Sequence, residues 1–600
     1  MFLQKSLPII FLALLFSCSN SPKKNIDTVF EKYYQERLQF NPIESTLAGD
    51  LVYNDTLPNL ITDEYEDKLL AFYQKYEAEL TPYKPDDLTS AQKISRDVLL
   101  WDLNIKIEGL QNDLQIVTSP LFGLPIMDLL PLNQIFSLHL FIAQLGNGSS
   151  AQPFNTVQDY ENWLHRVEDF QDFLNSSITN MKSGMEIGVV HPKIIIERMI
   201  GQLDDFVKTP AKDHVFYKPA TQFPESFSDE EIEQLSEAYQ EMVTEDLIPT
   251  FKKLQDFLQD EYLPEGVETS GIGALPYGKK TYEYFVRVHT STTMTPDEIH
   301  QLGLSEVNRI ESEMEKVKEE VGFKGDLKAF FNHVRTSKEQ MPYTKPEQVI
   351  THFENIHERM KPQLAELFDE TPKAGFVVRR TEAFREASAS AEYNSGSKDG
   401  SRPGVFYVPI PNVTAYNKFS DESLFLHEAI PGHHYQLSLQ QENESLPSFM
   451  HTEGLGVFVE GWALYSESLG KELGLYTDPY QYFGMLSAEM HRAIRLVVDT
   501  GIHSKGWTRE EAIQYSLDHE AESEASITSE IERYMVGPGQ ALSYKIGQLK
   551  ILELRDRAKE ALGDEFDIKE FHNQVLNSGS LPLEVLERKI DAWIESELNN

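Results

Sequence analysis

Two hydrophobic rhythms divide this chain. From about Ile26 to Glu261 apolar residues recur three and four positions apart among many charges, which predicts helix throughout. Within that stretch Ser228-Asp229-Glu230-Glu231 reads as a helix start, with Ser228 as the cap and Glu231 three residues on. Ser119 to Leu145 breaks the pattern. It is irregular and unusually apolar (Leu121, Phe122, Leu124, Ile126, Met127, Leu129, Leu130), as core or the wall of a cleft would be. Gly and Pro cluster from Pro264 to Gly278, and helical periodicity stops there. Tyr282 to Thr290 then alternates, Tyr284, Val286 and Val288 against Phe285, Arg287 and His289, and predicts a strand. Thr295-Pro296-Asp297-Glu298 opens a helix expected to reach about Glu320. Gly375 to Arg379 and Gly404 to Pro409 predict further strands, and from Ser423 onwards the pattern is mostly helical.

The expectation is a mainly α protein with a small β-sheet in its C-terminal half. At 600 residues the chain exceeds one ordinary domain. Two helical lobes flanking a cleft are expected, with a helical N-terminal region over 28–264 and a second region over 265–600.

The first 27 residues follow a different logic. Lys5 precedes the apolar run Leu7 to Phe16, which is too short for a spanning helix of about 20 residues and fits an export signal over 1–17. Leu15-Phe16-Ser17-Cys18 resembles the bacterial lipobox, so Cys18 is the expected lipid attachment point and 18–27 a tether. The predicted location is the cell envelope, lipid-anchored at a membrane and facing periplasm or exterior. Cys18 is the only cysteine, so no internal disulfide can form. The formal net charge of −42, with no basic stripe, excludes nucleic acid as a partner. Nothing in the pattern specifies an oligomeric state.

The sharpest chemical signal is His427-Glu428-Ala429-Ile430-Pro431-Gly432-His433-His434. Catalytic zinc takes imidazoles and carboxylates, keeps one position for water and needs a nearby base. In an unbroken helix His433 would lie about 600° round from His427 and about 9 Å along, and His434 about 10.5 Å along. Ligand nitrogens on one zinc sit within roughly 3.5 Å of each other. Neither histidine works on a regular helix. Pro431, however, lacks an N–H and would clash with the carbonyl of His427, and Gly432 turns freely. A break at Ile430 to Gly432 would return a later histidine to His427, with His433 and His434 both open.

A third ligand is expected from Glu460, set in the apolar stretch Gly456 to Leu464, because a buried carboxylate needs a partner or a metal. Arg492 and Arg495 are the alternative partners for it, and Glu453 is a second candidate ligand. Glu428 would take a proton from water polarised by zinc and pass it to a leaving amine. Tyr534, Tyr544 and His434 are candidates to stabilise the oxyanion. Arg402, in the Gly-rich stretch Gly396 to Gly404, and Lys545 are candidates to bind a substrate carboxylate.

Together with these residues, Leu275-Pro276-Tyr277-Gly278-Lys279, His300-Gln301-Leu302-Gly303, Asp399 to Gly404, Glu460-Gly461-Trp462-Ala463-Leu464-Tyr465 and Pro538 to Lys545 make the chain resemble the bacterial domain-of-unknown-function family 885. That resemblance implies a relationship to helical gluzincin peptidases, in which two His and a downstream Glu hold zinc, and a zincin-like catalytic region over 265–600. Those enzymes commonly carry Gly-His at the second ligand, which implies His433. The function expected is zinc-dependent hydrolysis of short peptides. The rival reading is a surface lipoprotein that captures ligands, with its metal structural or absent. A structural site has no use for a base beside its ligand, and Glu428 therefore favours the enzyme.

Overall fold

In the computed structural model, residues 25–118, 125–148, 150–382, 385–386, 389–452 and 454–599 are described. The signal peptide, Cys18 and Glu453 lie outside them. The helical periodicity of the N-terminal stretch becomes long helices, among them Asp63–Leu80, Ser90–Leu110, Val157–Ile187 and Lys193–Lys208. Ser228 caps the helix Asp229–Glu241 as expected: its side chain accepts from the N–H of Glu231, whose carboxylate answers the Ser228 N–H at 2.8 Å. From there helical turns, two of them π, continue to Glu265.

The composition change near residue 265 does not separate two cores. Val267 N donates to His191 O at 3.1 Å. Arg198, in the N-terminal stretch, pairs with Glu532 at 2.9 Å. Buried side chains from Ile26 to Ile594 form one contiguous cluster. A short antiparallel pair, Ile116–Thr118 with Pro125–Met127, adds a sheet to the N-terminal half that the hydrophobic pattern did not announce.

Tyr282 to Thr290 is not a strand. It belongs to the helix Gly278–Thr290, in which Tyr282, Phe285 and Val286 all face inward. Tyr282 OH donates to the buried Asp499 at 2.6 Å and Tyr284 OH to Ile105 O at 3.0 Å. Alternation among aromatic and β-branched residues suggested a strand, and helix-on-helix packing overrides that local preference. The other two expected strands form as Phe376–Arg380 and Gly404–Val408, parallel to each other in register Val378↔Phe406. A third strand, Glu392–Asn394, pairs antiparallel on the far side of Gly404–Val408. Thr295 caps the helix Pro296–Glu320, which packs along Pro479–Lys505.

Two helix contacts position the site. Gly461, in the helix Gly456–Ser468, meets Gly547, in Ser543–Leu562, so closely that a Cβ on Gly461 would lie 2.6 Å from the Gly547 Cα. Only two glycines allow the backbones to approach this far. The helix Asp421–Glu428 rests against both Gly456–Ser468 and Pro479–Lys505. Among the described residues no helix is long and apolar enough to cross a membrane.

Candidate metal centre

The helix carrying His427 ends at Glu428, and a new helix, His433–Glu442, begins five residues later. Pro431 cannot continue the ladder. Gly432 comes so close to the preceding turn that a Cβ there would overlap the carbonyl oxygens of His427 and Leu426. Trp462 Nε1 donates to Pro431 O at 2.7 Å and pins the loop to the helix that carries Glu460. The expected break is therefore present.

It returns His433 to His427, with ring centroids 4.7 Å apart and planes at 85°. Glu460 Oε2 lies 3.5 Å from His427 Nε2 and 3.7 Å from His433 Nε2. The three residues present ligand atoms within 4.8 Å of one another, the one such group among the described residues. Glu460 Oε2 is buried without a hydrogen-bond partner, as an oxygen reserved for a cation would be. Neither arginine named as its alternative partner takes it. Arg495 binds Glu530 at 3.1 Å and Tyr534 OH at 3.0 Å, and Arg492 donates to Ala488 O at 3.2 Å.

Glu467 was not anticipated. Its Oε1 lies 2.8 Å from His427 Nδ1, and its other oxygen accepts from Ser423 Oγ. A carboxylate on Nδ1 places the ring proton there and leaves Nε2 free to ligate. The signal was present as a second acidic residue seven positions after Glu460 on the same apolar helix, two turns along one face.

Burial works to lower His427, but the carboxylates of Glu460 and Glu467 beside its two ring nitrogens hold it up at about 10. Burial lowers His433 to about 4, so its imidazole is neutral. Burial works to raise Glu460, yet His433 and His427 hold it at about 2. Burial pushes Glu428 up to about 7, with His427 opposing and Glu460 adding to the rise. A metal ion would displace the Nε2 proton of His427, and the donor set, then two imidazoles and one ionised carboxylate, fits zinc. The neighbouring residue Glu428 is 7% exposed, and its carboxyl has no hydrogen-bond partner among the described residues.

The other sequence candidates lie elsewhere. His434 turns to the sheet, its Nδ1 2.8 Å from Tyr393 OH and its ring on Phe376. Tyr534 is buried, and its hydroxyl donates to Glu530 at 2.8 Å. Tyr544 lies under Arg495, 4.3 Å from guanidinium carbon to ring centroid, and its hydroxyl has no partner among the described residues. Arg402 is exposed and donates to Ser395 O at 3.0 Å within its own loop. Lys545 faces no cleft. It is fully buried, 2.7 Å from Glu489 and 3.0 Å from Glu306, inside an ion network.

This chain belongs to the family described as bacterial protein of unknown function (DUF885), whose model matches residues 42–590. Its structure is similar to one titled "putative lipoprotein" from Colwellia psychrerythraea, at 28% identity over 95% of this chain and 99% of that one, with a TM-score of 0.87. A "putative lipoprotein of unknown function" from Shewanella oneidensis shares the fold at 21% identity and a TM-score of 0.73, covering 94% of this chain and 99% of that one. No curated protein matches the chain.

Proposed function

We propose that this protein is a zinc-dependent peptidase of the cell envelope, anchored by a lipid on Cys18 and acting on short peptides. The observation that carries the reading is the Glu467–His427 contact beside an unpartnered Glu428. One carboxylate orients a ligand, and a second, on the next residue of the motif, is left free.

When bound, zinc supplies Lewis acidity toward a water molecule and the scissile carbonyl. His427 and His433 present Nε2, and Glu460 contributes the negative charge. Glu428 accepts the proton of the attacking water at its carboxylate and returns it to the departing amine, and its site in a nearly dry wall keeps it close to neutral pH in proton affinity. The Tyr534 hydroxyl is committed to Glu530, which leaves Tyr544, without a hydroxyl partner among the described residues, as the better candidate of the two tyrosines for the oxyanion. The zincin-like, two-lobed arrangement with a cleft between lobes belongs to the same reading and favours short, flexible peptides over folded proteins. So does the kinship with helical gluzincin peptidases.

The test is Glu428→Gln in zinc-loaded protein. Zinc should remain bound while hydrolysis of short peptides falls by at least about 10²-fold. Retained turnover would remove Glu428 from this role.

A further inference from the structure

Around this centre almost every charged side chain is matched. Glu467 holds His427 and Ser423, and Glu460 faces two imidazoles. Glu530 is held by Arg495 at 3.1 Å and Arg533 at 2.9 Å. Glu520 takes His491 at 2.6 Å, and Lys545 is shared by Glu489 and Glu306. Two groups stand outside this pairing among the described residues. One is Glu428, already given the role of base. The other is Arg492.

Arg492 lies on the helix Pro479–Lys505, which packs against two of the three helices of the metal centre, Asp421–Glu428 and Gly456–Ser468. Its guanidinium folds back so that Nη1 donates to Ala488 O at 3.2 Å, one turn earlier on its own helix. Its Nε is buried without a partner, and Nη2 makes no hydrogen bond among the described residues. Its positive charge works to lower Glu428, Glu460, His433 and Glu467 alike, in keeping with a helix packed against the centre. A partly desolvated guanidinium left unpaired is costly, and its planar fork matches a carboxylate through two parallel N–H donors.

In a site that cuts peptides, the anion that always accompanies the substrate is its own terminal carboxylate. We infer that Arg492 binds the C-terminal carboxylate of the peptide, so that the site selects short peptides cut close to their C-terminal end. This rests on the peptidase reading and adds to it a substrate class and an exo-acting mode. A residue of extended chain spans about 3.5 Å. A guanidinium on a helix packed against the centre therefore reaches a carboxylate only when the bond that is cut lies near the C-terminus. Arg402 and Lys545 do not compete for this task, the first being exposed on its own loop and the second sealed in an ion network.

The test is calorimetric binding of trialanine and trialanine amide to the full mature chain carrying Glu428→Gln, with zinc content measured on the same samples. Trialanine should bind at least about tenfold more tightly than its amide. Adding Arg492→Gln should abolish the difference, and Arg492→Lys should keep part of it, with unchanged circular dichroism in both. Equal affinity for acid and amide with Arg492 present overturns the inference, as does a preference that survives Arg492→Gln or an absence of binding. Zinc content separates the two failures. Zinc present without acid preference removes only the anchor, whereas absent zinc removes the peptidase reading with it.

Discussion

Glu467 stands 2.8 Å from His427 Nδ1, and this contact decides which nitrogen of His427 faces Glu460. Both acidic residues come from one helix, so its rotation sets the ligand and the ligand's support together. Glu467→Ala should weaken zinc binding by about 10- to 100-fold while leaving the protein folded. Competition against a chelator of known affinity measures this. An unchanged affinity would mean that His427 is oriented by something other than Glu467.

Gly432→Ala tests the broken helix. A methyl group there overlaps the His427 carbonyl oxygen, so either the loop or the histidine must move. The expected outcome is a stability loss of roughly 1–3 kcal/mol in denaturant unfolding, from overpacking, together with reduced zinc content. Wild-type zinc content in a folded Gly432→Ala protein would show that the site tolerates a different loop.

Lys545 should behave as a structural residue. Lys545→Met leaves Glu489 and Glu306 facing each other without their buried cation, and Arg309 is their remaining partner. Breaking a buried pair in this way costs about 3–5 kcal/mol. Denaturant unfolding should register that loss, with zinc per chain unchanged. A variant of wild-type stability that binds peptides poorly would instead return Lys545 to substrate binding.

Stability should also report a buried carboxyl far from the metal centre. Glu66 is 6% exposed, its Oε1 has no partner, and burial followed by the charges of Asp128, Asp63 and Asp67 raises it to about 8. The folded state thus holds this proton more tightly than the unfolded state, whose value is near 4.5. The contribution is fully present below about pH 4.5 and is lost as pH rises toward 8. Glu66→Gln should lose less thermal stability than wild type between pH 5 and pH 8. Parallel melting curves for the two proteins across that range would contradict the assignment.

The geometry of the candidate metal centre is legible where covalent structure leaves few choices. Pro431 forbids a continuous helix, Gly432 permits the turn, and an isolated Glu460 in an apolar helix demands a counter-charge. The choice of His433 over His434 was not fixed by spacing, because it depends on how the second helix sets off from Gly432. Glu467 was missed for a related reason. Its role follows from the distance between two helices, which the Gly461–Gly547 approach and the Trp462–Pro431 hydrogen bond set, and no local pattern encodes that distance. Tyr282 to Thr290 misled because its aromatic and β-branched residues satisfy both periods over nine positions, and only packing against Asp499 and Ile105 chooses between them. Lys545 reads as a candidate substrate contact because it is a cation in the stretch Pro538 to Lys545 that could meet a carboxylate. Nothing in sequence shows the two carboxylates that draw it inward.

The most direct test is zinc per chain by elemental analysis on protein lacking residues 1–18, for wild type, His433→Ala and His434→Ala. About one zinc in wild type, lost in His433→Ala and kept in His434→Ala, is the predicted result. Wild-type protein that carries no zinc and takes up none on addition would contradict the account and favour a lipoprotein that captures ligands without metal chemistry.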